Sequence, residues 1–419
     1  PMIEMLRKRT IENSGLTMTS LGHCIQLSNY ILEKHDAFIS YNTLRRFFGV
    51  IANETKPSAL TLDILSRFNG YKNYMHFSIL FKYDNQWKLQ NDIYEIMSHS
   101  DTSIFIEEIE KKINKTSDFV SILVQVVREL ILEKRYNDVI GILSLKQLQI
   151  NNISYDEAIN IANGIGNLLR TKNIEEKTLI KLLNVASYRS LVFSVFVDYS
   201  HLNGYYSTQI KCLKKMKLEE DIMVFTKCIE NLHLYLNLKP IKYKTFSVKN
   251  EFHPILKSRI ISQELLKATK NTVFILDSFY QRISKSSLKV EHFYELIVTA
   301  MITKNKYAMS FIMSRIDRLK SEIFLYQLRH KQQYLLMKAL YLSANGSKKS
   351  CLEILNDFNP NGVAESYKEF LNIFYLITRF NITENLEREK LLVKYSNLTE
   401  KLAYPLFDEA YIRNYNFKD

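Results

Sequence analysis

The chain has 419 residues, 46% of them apolar and 24% charged, the balance of a folded protein with material for two or three domains. Its 10 glycines and 6 prolines are too few for the tight turns of a β-sandwich or barrel, and the same numbers exclude a collagen-like or disordered chain. An excess of 57 Lys+Arg over 44 Asp+Glu leaves +13, which draws a protein toward polyanions, nucleic acid first; AT-rich coding, which also yields plentiful Lys, Asn, Ile and Tyr, accounts for the lysines equally well.

Cys24, Cys212, Cys228 and Cys351 stand far apart with no C-x-x-C, so neither a zinc site nor a disulfide framework is expected, and a reducing cytoplasm fits. Pro1 ahead of Met2 reads as a cloning remnant. Met2–Thr10 carries Arg7, Lys8 and Arg9 without a following apolar run, which predicts no secretory signal, and apolar runs such as Leu191–Val197 are too short to span a bilayer.

In chain order, the spacing predicts helix almost throughout. Residues 18–34 place Leu21, Cys24, Ile25, Ile31 and Leu32 on one stripe, with Thr19 or Ser20 as N-cap. His35-Asp36 falls at that helix's end, where a cationic ring meets the dipole favourably. Ser40 caps a short helix carrying Leu44, Phe47 and Phe48, which Gly49 stops. Pro57-Ser58 opens a third helix, with Asp63 in its first turn, and Asn69-Gly70 closes it. A fourth begins at Tyr71, and the pattern pauses near Tyr83–Lys88, where a boundary is expected.

Beyond it, Val126–Leu145, Leu296–Arg315, Leu335–Asp357 and, more loosely, Tyr205–Ile229 each read as helix, short turn, helix. Such pairs cannot bury both faces alone and stack on neighbours, in the manner of degenerate tetratricopeptide-like hairpins; the alternative is an irregular bundle. Leu238–Pro254 lacks helical period and holds two prolines and several lysines, as a linker between two lobes or a long loop on one array would. The expected domains are 1–83, 84–240 and 241–419.

Motifs for nucleophilic, metal or nucleotide chemistry are absent: there is no H-E-x-x-H, G-x-S-x-G or Walker-type loop. Gly164-Ile165-Gly166 lies inside a helical pattern and predicts close helix packing. Glu107, Glu108, Glu110, Glu175 and Glu176 read as solvated faces. The chain reads as non-enzymatic, with no cofactor or metal.

The informative stretch is Ile39–Phe77. With Leu44, Phe47 and Phe48 turned inward, Asn42, Arg45, Arg46 and Gly49 share the opposite face. An amide and two guanidiniums suit base edges, Asn with adenine N6/N7 and Arg with guanine O6/N7. Tyr41 and Thr43 flank them within reach of phosphates, and the Ser40-capped helix start favours anions; the alternative is an ordinary surface helix with two exposed arginines. Residues 1–83 hold ten basic and six acidic residues, a net +4.

Ser40, Thr43, Leu44, Arg46, Phe48 and Gly49, followed by Lys56, Pro57, Ser58, Thr61, Leu62, Asp63, Leu65, Phe68, Gly70, Tyr71, Lys72 and Phe77, make up a pattern that resembles a helix-turn-helix-like module found at the N-terminus of many bacterial proteins. More distantly it resembles the second half of a phage-repressor-like domain. The resemblance implies that Tyr41–Phe48 is a recognition helix, and the Val50–Lys56 loop a backbone contact through Lys56. With the helical array behind it, the architecture is similar to peptide-sensing bacterial regulators. That likeness implies an all-α protein with a small helix-turn-helix-like domain before a tetratricopeptide-like array, acting as a cytoplasmic, homodimeric regulator of transcription. It would bind double-stranded DNA through Ser40, Tyr41, Asn42, Thr43, Arg45, Arg46, Lys56 and Lys72, and a peptide, protein or small effector in the array. The competing expectation is a helical scaffold whose N-terminal module is a docking domain, with the 26 Tyr and 24 Phe serving a peptide groove or, more simply, the core.

Overall fold

The computed structural model describes residues 2–52, 56–98, 101–113, 119–149, 152–172, 174–267, 271–286, 289–319, 328–384 and 386–417. Among them every regular element is helical and no β-strand occurs, so the protein is all-α. The chain groups into two compact units, Pro1–His99 and Ser100–Asp419.

The first unit holds α1 (Met2–Ser14), α2 (Leu21–His35), α3 (Tyr41–Phe47), α4 (Ala59–Phe68) and α5 (Tyr74–Met97). Ser20, Ser40, Ser58 and Asn73 each accept a hydrogen bond from the third residue beyond them, satisfying an amide that the helix start would leave orphaned. Cys24, Leu27 and Ile31 of α2, Leu44 and Phe47 of α3, and Leu62, Ile64 and Leu65 of α4 share one core with Leu6 and Phe77. The α2 stripe is therefore Cys24, Leu27, Ser28 and Ile31, and the expected Leu21, Ile25 and Leu32 are exposed. Leucines and isoleucines on both flanks of that stripe blur its phase in sequence.

Asp36 ends α2 at φ 44°, and the turn to α3 is pinned by Ser28, whose hydroxyl donates to the Ile39 carbonyl at 2.6 Å. Asp63 is the fifth residue of α4, past its first turn. Its Oδ1 instead accepts from the Tyr74 amide at 2.8 Å, tying α4 to the start of α5. α5 runs unbroken through Tyr83–Lys88, whose residues include no Gly or Pro to stop it, so the unit closes at His99 rather than at 83. That extension moves the charge. Through His99 there are eleven basic and nine acidic residues, a net +2, which leaves +11 to 100–419.

In the second unit the four expected stretches all fold as packed helix pairs: α7 (Phe119–Leu132) with α8 (Tyr136–Leu143), α11 (Tyr205–Leu213) with α12 (Glu220–Leu236), α15 (Lys289–Ile302) with α16 (Lys306–Ile316), and α17 (Leu328–Ala344) with α18 (Lys348–Asp357). Three share one turn. Lys134, Lys304 and Gly346 sit at φ 60°, 55° and 76°, and the next amide (Arg135, Asn305, Ser347) returns five residues to Leu130, Ala300 and Leu342. Leu238, at φ 53°, ends α12 the same way, but Pro240 follows and no helix resumes until α13 (Pro254–Leu266). Since α12 and α13 pack together, the 238–253 stretch is a loop within one unit, and the chain does not separate at 240.

α13 and α15 form the centre, packed on each other and buried almost end to end. Around them α9 (Tyr155–Thr171) packs against α7 through Gly164, where a Cβ would run into Val124, and Gly166 lies against the Phe196 ring. Both glycines permit close approach, as their spacing predicts. Gly166→Ala is expected to cost about 1–3 kcal/mol by overpacking, read as a lower urea midpoint at unchanged slope.

His253 caps α13, its Nδ1 accepting from the Leu256 amide at 3.3 Å, which requires the neutral ring. Burial, with Lys257 and His292 nearby, pushes it down to about 4 from 6.5. Between those values the unfolded chain binds the proton and the folded one does not. Stability is therefore present above pH 6.5 and falls as pH drops toward 4. His253→Asn, which keeps a cap acceptor, is expected to flatten that slope in urea titrations across the window.

Among the described residues no helix is long and apolar enough to cross a membrane, and no group of three or more His, Cys, Asp or Glu is placed to hold a metal. All four thiols are free; burial pushes Cys228 up to about 12.

Candidate nucleic-acid interface

α3 has seven residues, with Leu44 and Phe47 turned into the first unit's core. This fixes its outer face. Tyr41, Asn42 and Arg46 are exposed, while Thr43 and Arg45 are half-buried. Ser40 and Thr43 hold each other: Ser40 Oγ accepts from the Thr43 amide at 3.2 Å and lies 2.9 Å from Thr43 Oγ1. Their hydroxyls therefore fix the start of the helix. Asn42 and Arg45 are also brought together, Arg45 Nη1 donating to Asn42 Oδ1 at 3.2 Å, and Arg45 Nε is buried without a hydrogen-bond partner among the described residues. Held this way, the amide oxygen is aligned and Arg46 is left as the freely presented guanidinium.

Gly49, at φ 73°, ends the helix, with the Val50 amide returning to the Arg45 carbonyl at 2.8 Å. In the Val50–Lys56 loop, residues 53–55 lie outside the described residues. Lys56 is exposed ahead of α4, and Lys72 is exposed in the turn after it. The ten residues of α4 hold the two ends apart by about 15 Å, so these lysines do not form one cluster.

Arg7 of α1 joins the surroundings of α3. Its guanidinium lies 5.2 Å from the Phe47 ring centroid and pairs with Glu4. In sequence Arg7 reads as charge alone; the signal is its i, i+3 spacing from Thr10, which sets it on the flank of the α1 face that buries Leu6 and Thr10.

The second unit holds two polar features that spacing did not mark. One is a cleft of about 400 Å³ beside Arg170, walled by the stacked rings of Phe358 and Tyr375 (centroids 5.7 Å apart) and by Lys368 and Glu369. Arg170 Nε reaches fully buried Asp198 at 3.5 Å. The other is an interior network. Arg259 pairs with Glu295, Tyr199 donates to Glu295 Oε2 at 3.0 Å and accepts from Arg259 at 2.6 Å, and Tyr367 donates to the other Glu295 oxygen. Beside it Glu291 meets Tyr155 at 3.0 Å and His330 at 3.1 Å. Burial pushes the Glu291 carboxyl up, but His330 and Arg329 outweigh it and hold it below the usual range. The network leaves a void of only about 30 Å³, room for water rather than substrate.

Against known proteins, the chain matches no protein-family model, no curated protein and no solved structure.

Proposed function

We propose that the protein is a DNA-binding regulator of transcription that reads duplex DNA with the outer face of α3 and responds to an effector bound by its helical region. The observation that carries this reading is the α3 face itself: Asn42 aligned by Arg45, with Arg46 unencumbered beside it. On a duplex, Asn42 pairs with adenine N6/N7 and Arg46 with guanine O6/N7, while Tyr41, Lys56 and Lys72 take phosphates. Leu44 and Phe47, locked in the core, make the helix a rigid mount for these contacts.

In this reading the α2–turn–α3 succession serves as the helix-turn-helix-like module, and the helix pairs joined by the repeated turn at Lys134, Lys304 and Gly346 serve as the tetratricopeptide-like array. The Arg170 cleft, where Arg170 and Lys368 stand with Glu365 and Glu369 around an aromatic pair, suits a peptide or small zwitterionic effector. Dimerisation through the helical region sets two α3 helices on two half-sites.

The test is sequencing of genomic fragments retained by the full chain, beside Arg45→Ala with Arg46→Ala. A shared motif in the first pool and its loss from the second support the reading; equal pools refute it.

A second reading, a docking module on a helical scaffold, is favoured by one observation. The outer face of α2 exposes Leu21, Ile25 and Leu32, and Phe38 is exposed just beyond it. Salt separates the two: duplex binding falls log-linearly as salt rises, whereas apolar docking holds.

A further inference from the structure

The loop after α12 carries Lys239, Lys242, Lys244 and Lys249 and no acidic residue before Glu251. It is firmly seated. Tyr243 donates to the Leu266 carbonyl at 3.1 Å, Gln263 donates to the Lys244 carbonyl at 2.6 Å, and Asn231 donates to Gln263 at 2.5 Å. Between this loop and α14 (Thr272–Ile283) runs a groove of about 400 Å³, with Ile260 and Ile261 of α13 in its floor.

Three properties of this groove converge. Its far wall presents Phe274, 74% exposed and therefore a large apolar group that folding leaves in water. Its near wall is Thr245–Val248, whose main-chain N–H and C=O groups make no hydrogen bond among the described residues. Its charge is one-sided: Arg282 in its lining is exposed with no acidic partner among the described residues, and the loop that walls it adds exposed Lys242 and, over the Phe246 ring, Lys244, while the groove's acid, Glu264, is already paired with Lys267 at 2.6 Å. An apolar floor beside unsatisfied backbone suits a bound main chain, and three cations select the sign of its side chains.

We infer that this groove is a docking surface for an acidic segment of a partner protein, bound as an extended chain. Its main chain meets Thr245–Val248, alternate apolar side chains enter against Phe274 and Ile275, and its carboxylates face Arg282 in the groove and Lys242 and Lys244 on the flanking loop. A nucleic acid strand would meet the lysines but has no use for the apolar floor. The surface shares no residue with α3 or with the Arg170 cleft, so it stands or falls apart from duplex reading.

The test is selection of phage-displayed random twelve-residue peptides on the full chain, with a labelled twenty-residue oligothymidine measured alongside. Enriched peptides are expected to be net acidic with apolar residues at alternate positions. Their affinity is expected to fall at least tenfold in Phe274→Ala and in Lys242→Glu with Lys244→Glu, and to hold in Leu386→Ala, an exposed apolar control elsewhere; all three variants should melt like the parent. No enrichment, enrichment of neutral or basic peptides, or binding indifferent to Phe274→Ala overturns the inference. So does oligothymidine binding that depends on Lys242 and Lys244 while no peptide is selected.

Discussion

Arg259→Met is expected to destabilise the 100–419 unit by about 3–5 kcal/mol, the largest effect of any single substitution considered for that unit. Both partners of the Arg259–Glu295 pair are about 2% exposed or less, so the substitution leaves a carboxylate in the interior with only the Tyr199 and Tyr367 hydroxyls to hold it. Hydroxyls solvate a carboxylate but do not neutralise it. Glu295→Gln should also destabilise strongly, because its single amide oxygen accepts from only one of the two tyrosines and Arg259 loses its counter-charge. Arg259→Met with Glu295→Leu should recover much of the loss, since neither charge then remains buried. Urea unfolding of the three variants checks the ranking; if the double variant is no more stable than Arg259→Met, isolation of the charge is not the cause.

The second large effect falls on duplex binding. Asn42→Ala and Arg46→Ala are each expected to cost about 1–3 kcal/mol on the preferred sequence and little on random duplex, because base-edge pairs carry discrimination. Lys56→Ala with Lys72→Ala should weaken both duplexes alike and lower the log-salt slope by about two, one for each lysine that no longer neutralises a phosphate. Arg45→Ala acts differently. It frees the Asn42 amide oxygen, and it should relax preference for adenine without abolishing binding. Fluorescence anisotropy against salt for the four proteins separates these roles; identical slopes throughout would remove the phosphate assignments.

The parts of the molecule legible in the sequence are those set locally. Ser40 before an apolar i, i+3 pair dictates α3, and Gly49 its end, because caps and left-handed turns depend on a few neighbouring residues. The same holds for Gly164 and Gly166, which could scarcely sit in mid-helix except for packing. The interior network lay beyond such reading. Glu291, Glu295 and Thr299 recur every four residues along α15, the spacing of a solvated stripe, and only packing against α13 and its neighbours turns that stripe inward. Arg259 and Glu295 stand 36 residues apart on different helices, so nothing local pairs them. The end of the first unit was misplaced for a related reason. Amide and charged residues at Tyr83–Lys88 interrupt the apolar rhythm without interrupting the backbone of α5.

The central claim is tested most directly by footprinting the full chain on a genomic fragment that it retains, beside Asn42→Ala with Arg46→Ala at matched fold stability. The account predicts a protected site containing adenine and guanine within one major-groove face, lost in the double variant while weak salt-sensitive binding persists. Protection that is unchanged in the double variant would contradict it.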